Sequence, residues 1–463
     1  MFGALLKLAL AGVMAWGVVH GVSFETRLPF LPNLDFVLRT DALSLLFVSL
    51  SSVLWLLTTV YAIGYLEDSH HRSRFFGFFS LCVTATTGVA LAGNLITFVV
   101  FYELLTLTTY PLIVHRGTEV ARVAGSIYLR FTITGGALLL VGTVWLYSLF
   151  GTLEFSHRGF MADTQIAALN QGTLVIIFVL LIAGLGVKGV LVPLHGWLPR
   201  AMVAPAPVSA LLHAVAVVKA GAFGIIRVVY NVYGIGFAAD LGVTLPLAVL
   251  ASVTIIYASI RALYQDDLKR RLAYSTISQV SYITLGIATV GPIAAIGGIV
   301  HLVHQGLMKI TLFFCAGNLA KTLGIHKISE MDGVARRMPW TMAAFTLGAL
   351  GMIGVPPLAG FVSKWHLGLG AMAAGKDWIM LILVASSLLN AAYFLPILYA
   401  AWFKNPAGEW PEEQPRGQLE TRWLLLLPPL VTALLVLAVG LLASAPYSPL
   451  EWARFITRLE YAP

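Results

Sequence analysis

The sequence is poor in charge. Of its 463 residues only 11% are Asp, Glu, Lys or Arg, while 59% are hydrophobic; a soluble globular domain carries roughly a quarter charged residues. The mean hydropathy of +0.87 points the same way. No polar block is long enough to form a separate soluble domain, so residues 1–463 read as a single transmembrane unit. Cysteine is almost absent. Cys82 and Cys315 lie far apart, each in an apolar run, which excludes a disulfide framework and an iron–sulfur or zinc site. There is no strand pattern and no Gly-rich nucleotide fingerprint after a strand. Cofactors are therefore not expected on this chain, and direct redox catalysis is the function class with the least support.

Apolar runs of crossing length recur from end to end. They read as spans at 2–20, 41–65, 75–92, 95–114, 124–150, 171–198 and 205–230, then at 241–260, 272–290, 293–320, 339–371, 378–402 and 423–445. The prediction is an all-α polytopic membrane protein of about thirteen helices. The N-terminal run has the basic start of a signal peptide but no convincing small-x-small cleavage site, and is read as the first membrane helix. Counting Lys and Arg in the connections gives sixteen on the side of the N-terminus, from Arg72 to Arg422 and including Arg416. The other side has six: Arg27, Arg39, Arg158, Lys376, Arg454 and Arg458. That bias predicts a cytoplasmic N-terminus and a C-terminus outside, in a membrane such as the prokaryotic inner membrane. The net charge of +8 is then mostly topology, and no nucleic-acid partner is implied.

The sixth and eleventh runs are longer than one crossing needs and hold helix breakers: Pro193 in one, and Gly354, Pro356, Pro357 and Gly360 in the other. Each carries a mid-span lysine, Lys188 and Lys364. Paired interrupted helices of opposite direction are the sequence mark of an inverted-repeat transporter. The expected repeats are helices 3–7 (residues 75–230) and 8–12 (residues 241–402), followed by a C-terminal helix and tail at 423–463.

A charge at mid-membrane depth costs roughly 2.5 kcal/mol or more and is by default a functional-site hypothesis. Glu103 is the only carboxylate deep in any span; Lys188, Lys219, Lys309 and Lys364 are the buried lysines; His213, His301 and His304 lie at comparable depth. An ammonium in a low-dielectric site gives up its proton more readily, a nearby carboxylate opposes this, and histidines can relay between such groups. These are the parts of a proton path running along the membrane plane. Blander readings stand beside it. Glu103 could pair structurally with Lys188 or Lys219, and His213 could be a satisfied core histidine. On an ideal helix Lys309 lies about 80° around from His301. Arg130 and Arg227 sit nearer helix ends, where snorkelling is an adequate account. His195 and His366, beside the helix breaks, are evenly balanced between relay and structure.

Several long motifs carry a resemblance. Lys188-Gly-Val-Leu-Val-Pro-Leu-His195-Gly-Trp-Leu-Pro199, the stretch from Ala204-Pro-Ala-Pro-Val-Ser to Lys219, Gln265-Asp-Asp-Leu-Lys269 with Tyr274 to Gln279, and His301-Leu-Val-His304-Gln-Gly-Leu-Met-Lys309 resemble the antiporter-like subunits of respiratory complex I. Mrp-type Na⁺/H⁺ antiporters and membrane-bound hydrogenases hold members of the same family. The resemblance runs from about residue 41 to 405. It implies that Glu103 pairs with Lys188, that Lys219 with His213 is a connection, that His301, His304 and Lys309 form the central relay, and that Lys364 gates the far exit. It also implies a proton-translocating subunit, with Na⁺/H⁺ exchange as a variant of that activity, among other membrane subunits and a soluble or redox module. The enzymology would then belong to an oxidoreductase around it. Alternatives are an Mrp-type cation/proton antiporter subunit, or a proton-conducting subunit energising a soluble partner, for example in inorganic carbon uptake. Set against the family's usual fourteen core helices, the expectation is a chain without the first of them and without the long lateral C-terminal helix of the largest complex I subunit.

Overall fold

The structure is a computed structural model describing residues 1–461 except 33, 68, 162–170, 407, 409 and 414–418. The chain opens with α1 (Phe2–Val19) and then forms an antiparallel hairpin, β1 (Glu25–Leu31) with β2 (Leu34–Arg39). No strand was expected here. The hairpin is short and its register slips between Pro29 and Leu31, so its period-2 signal is interrupted by proline. It closes one end of the bundle: the Gly93 N–H donates to the Val37 carbonyl, and the Val37 N–H to Thr97 Oγ1.

The helices follow in order. α2 (Ala42–Tyr65) starts at Asp41, whose carboxylate accepts from the Ser44 N–H, an N-cap that satisfies an otherwise orphaned donor. Then come α3 (Arg72–Leu91), α4 (Leu95–Ile113), α5 (Glu119–Phe150) and α6 (Gln171–Lys188). After α6 the chain turns irregularly to a 3₁₀ turn at Arg200–Val203, so the sixth run is helical only as far as its lysine. α7 (Ala206–Ala214) and α8 (Val217–Arg227) divide the seventh run, which the sequence presents as continuous. The interruption lies at Val215 and Ala216, whose N–H groups both donate back to the Leu211 carbonyl. No proline or glycine marks it; Gly306 on the facing helix leaves room for the freed Ala214 carbonyl.

The second half comprises α9 (Thr244–Leu263), α10 (Leu268–Ala288), α11 (Pro292–Leu323), α12 (Pro339–Ile353), α13 (Ala359–Ala373), α14 (Trp378–Phe403) and α15 (Trp423–Leu441). The break between α12 and α13 turns at Gly354, whose φ of +98° suits only glycine. The tail then folds as one more helix, α16 (Pro449–Tyr461). Among the described residues eleven helices are long and apolar enough to cross a membrane, taking α7 and α8 as one. The α7/α8 segment is buried throughout and α11 over a full 18-residue stretch, whereas α1 is buried over only 17% of its length; the core therefore lies where the first two meet. The closest helix pairs are α3 with α4 and α5 with α6 in the first half, and α9 with α10 and α11 with α13 in the second.

Polar contacts sort the connections into two ends. At one, Arg27 pairs with Glu154 at 2.6 Å, the Asn231 amide donates to Glu460, and Gly291 N–H donates to the Tyr461 hydroxyl. At the other, Lys269 donates to the Ala204 carbonyl, Ser329 to Asp266, and Lys404 pairs with Asp332 at 3.2 Å. Arg416 lies outside the described residues.

Candidate functional site

Glu103 sits on α4 facing α5, where Gly136 makes room for it: a β-carbon at Gly136 would overlap the carboxylate. Lys188, the last residue of α6, is fully buried beside it. The two are within electrostatic reach, but no direct ion pair within 4.0 Å joins them among the described residues. Instead the Lys188 ammonium donates to the Tyr102 carbonyl and lies 3.4 Å from the centre of the Tyr102 ring, a cation–π contact. Glu103 Oε1 is buried without a hydrogen-bond partner.

The unexpected interruption sets the next two groups. His213 lies in the last turn of α7 and Lys219 in the first turn of α8, both fully buried. His213 stacks against Phe313 at 4.4 Å between ring centroids and neither ring nitrogen has a partner. Lys219 Nζ donates to the Leu302 carbonyl of α11 at 2.8 Å, bringing it within electrostatic reach of His301, His304 and Lys309. Helix α11 is α-helical through all three, so they fan out as the ideal geometry requires. His301 Nδ1 meets Ser363 Oγ on α13 at 2.8 Å, while Lys309 points to α10, donating to Ser275 Oγ at 2.6 Å and the Leu272 carbonyl at 3.3 Å. His304 has no partner on either nitrogen.

Lys364, on α13, reaches back across the break. Its ammonium donates to the Met352 and Ile353 carbonyls at the end of α12, at 3.0 and 2.8 Å, and to Ser387 Oγ at 3.0 Å. The structure thus gathers Glu103 with Lys188, and Lys219 with His301, His304 and Lys309, and leaves Lys364 within electrostatic reach of His301 but with no hydrogen bond to that group. No hydrogen bond links Lys188 directly to Lys219. His195 and His366 are half-buried and stay outside these contacts.

One expectation fails. Arg227 does not snorkel; it is only 2% exposed and pairs with Asp41 at 2.7 Å. Arg130 is exposed. Several polar residues beside the lysines were given no role from the sequence, although Ser275 and Gln279 fall within the motif quoted from Tyr274 to Gln279. Ser275, Gln279 and Tyr282 are buried on α10 at i, i+4 and i+7, one helix face. Both amide atoms of Gln279, and both of Gln305 on α11, lack partners. Tyr393 and Asn390 on α14 belong with them. The legible signal was that face: α10 is poor in apolar residues for a helix buried on so many sides. Among the described residues no three His, Cys, Asp or Glu side chains gather as a metal-binding group.

Comparison with known proteins places this arrangement. The family described as NADH:quinone oxidoreductase/Mrp antiporter, TM, matches residues 92–390, and the N-terminal family of complex I chain 5 matches residues 32–76. NADH-quinone oxidoreductase subunit N of Desulforudis audaxviator is 36% identical over 396 residues, covering 82% of this chain and 77% of that protein. An Na⁺/H⁺ antiporter subunit of Bacillus subtilis is 32% identical over 411 residues, covering 88% of this chain and 80% of that protein. The Mrp complex from Dietzia sp. contains a chain that superposes with a TM-score of 0.86 over 99% of this chain and 91% of that one, at 23% identity. With motifs, fold and relatives in agreement, the chain belongs to the NADH:quinone oxidoreductase/Mrp antiporter family of membrane subunits.

Proposed function

We propose that the chain is the proton-translocating membrane subunit of a multi-subunit complex, passing protons along Glu103, Lys188, His213, Lys219, His301, His304, Lys309 and Lys364. One observation carries this. The four lysines are held by backbone carbonyls, hydroxyls and an aromatic ring rather than by carboxylates, while the histidines and glutamines between them keep unpartnered polar atoms. A buried polar group without a partner costs about 1–3 kcal/mol, and water is the partner that such a row calls for. Ammonium groups, imidazoles and water in sequence conduct protons.

Thirteen crossings follow if α10, and α12 with α13, are added to the eleven apolar helices. The matching closest pairs support inverted repeats of helices 3–7 and 8–12, with Lys188 and Lys364 as counterparts. Each of these two lysines also has a tyrosine ring nearby, Tyr102 at 3.4 Å and Tyr282 at 5.5 Å. The charge bias supports a cytoplasmic N-terminus and an outward C-terminus. The partners are further membrane subunits and a soluble or redox module that supplies the energy.

The test is proton uptake driven by an imposed potassium diffusion potential, in proteoliposomes of the complex purified through a tag on this chain. Lys188→Ala, Lys309→Ala and Lys364→Ala should each lower uptake at least about tenfold with assembly unchanged; wild-type uptake in all three would sink the reading. The antiport reading, favoured by the similarity to an Na⁺/H⁺ antiporter subunit, predicts uptake that depends on opposing Na⁺.

A further inference from the structure

The segment between Lys188 and the 3₁₀ turn at Arg200 is irregular, and nothing closes it over from outside. Pro193 is exposed, while Val192, Leu194, His195 and Gly196 are half-buried. It runs in a seam between α5 and α9. A β-carbon at Gly196 would stand 3.5 Å from the Phe131 ring of α5, and the Val192 N–H donates to Thr254 Oγ1 of α9 at 3.1 Å. In a chain that spans the membrane the outside of this seam is lipid, and non-helical backbone there calls for a cover.

Donors gather at one end of the seam. The same β-carbon would stand 3.9 Å from Arg200 Nη1, so this guanidinium folds back over the residue next to His195. The His195 ring lies 5.3 Å from that of Tyr257 on α9 and 6.5 Å from that of Tyr274 on α10, and its Nδ1 is buried without a partner. Arg261, in the last turn of α9, holds its guanidinium 5.8 Å from the centre of the Tyr274 ring. Both arginines are exposed, and neither pairs with a carboxylate among the described residues. A bias of positive charge to one side puts arginines in connections, but it does not group two of them around an unpartnered imidazole. From Arg261 inward, α9 turns an apolar lane outward: Ile260, Tyr257, Val253 and Val249 are each between 39% and 52% exposed.

We propose that the seam binds one anionic phospholipid. Its phosphate sits between Arg200 and Arg261, with the His195 Nδ1–H tautomer as a third donor, and an acyl chain lies along the α9 lane and covers the irregular segment. Guanidinium forks arriving from two different segments suit a phosphate, which accepts from several directions at once. A basic group between membrane helices at headgroup level, with apolar surface leading inward from it, has the shape of an anionic amphiphile. A free phosphate would leave the lane uncovered. The site stands outside the row of lysines, and the proposal is independent of which ion the chain moves.

The experiment is native mass spectrometry of the tagged complex, stripped of lipid in detergent and titrated with phosphatidylglycerol, phosphatidylcholine or inorganic phosphate. Wild type is expected to take up one phosphatidylglycerol that the double variant Arg200→Gln, Arg261→Gln binds at least about tenfold more weakly. Arg458→Gln, which removes an exposed arginine of α16 at the other end, should titrate as wild type. The double variant Arg200→Lys, Arg261→Lys keeps both charges and should recover most of the binding. Equal titrations of wild type and the Gln variant overturn the proposal, as does a Lys variant that binds no better than the Gln one. Equal uptake of phosphatidylcholine would make the seam an ordinary lipid contact, and filling by inorganic phosphate would make it an ion site. Loss of a subunit from the Gln variant with lipid uptake intact would assign the arginines to a carboxylate of that subunit. Each of these three results also overturns it.

Discussion

Gly136 shows how a residue without a side chain can serve the chemistry. The Glu103 carboxylate occupies the space a β-carbon would need there, so Gly136→Ala must push the carboxylate away from Lys188. Uptake in Gly136→Ala is expected to fall toward the level of Glu103→Gln, at least about tenfold, whereas Gly12→Ala, with nothing within 4 Å, should behave as wild type. At the hairpin end His157 gives a pH prediction. Its exposed ring donates from Nδ1 to the Glu460 carboxylate on α16 at 3.2 Å, and that hydrogen bond raises the affinity of the imidazole for its proton. A raised folded-state value means stability complete below about pH 6.5, the free imidazole value, and lost as pH climbs through the raised one. Wild type should therefore lose more melting temperature between pH 6 and pH 8.5 than His157→Ala; parallel slopes would remove the latch. The ionisable residues were legible in the sequence because a charge in an apolar run stands out. Ser275, Tyr393 and Asn390 were not, since the same residues are tolerated on lipid-facing helices and only the placement of α10 against α14 gives them partners.

Among elements, the two interrupted helices with breakers could be read in advance, and the one without could not. Gly354 and the prolines after it announce the end of α12, as Gly189 and Pro193 announce the end of α6. The interruption at Val215 depends on tertiary contact with Gly306, which no local pattern records. Where α12 stops, its last carbonyls carry the negative end of the helix dipole, and the Lys364 ammonium is seated on two of them. That seat accepts a donor. Lys364→Gln, which still donates, should melt near wild type while failing in uptake. Lys364→Glu puts a carboxylate against those carbonyls and should melt lower, by on the order of 1 °C for a dipole penalty of about 1 kcal/mol in a chain of this length. Equal melting of the two variants would mean that the lysine does not cap α12.

For the whole molecule, the alternation of connections between two ends makes a topological prediction. A tag in the connection between α14 and α15 and a tag following α16 should report opposite sides of the membrane, because Arg422 pairs with Glu67 at one end and Glu460 with Asn231 at the other. Tags on the same side would remove or add a crossing. The polytopic class and most spans were visible in composition alone. The hairpin and α16 were not: both are short and amphipathic, and they lie across the end of the bundle, where neither length nor continuous hydropathy marks an element.

The carbonyl seats of the four lysines have a consequence for how the molecule responds to its partners. A carboxylate would lock an ammonium in its charged form, and releasing the proton would break the pair. A carbonyl accepts from an ammonium and, more weakly, from a neutral amine, so a lysine seated on one keeps a partner for its nitrogen in either state. Such a row has little mechanical memory and takes its occupancy from the local field. Two unit charges about 10 Å apart at an effective dielectric near 20 interact by roughly 1.7 kcal/mol, more than tenfold in proton occupancy. On the proton-translocating reading proposed above, a neighbouring subunit that shifts a single charge beside Glu103 would change the proton occupancy of Lys188 as a voltage does, with no helix obliged to move.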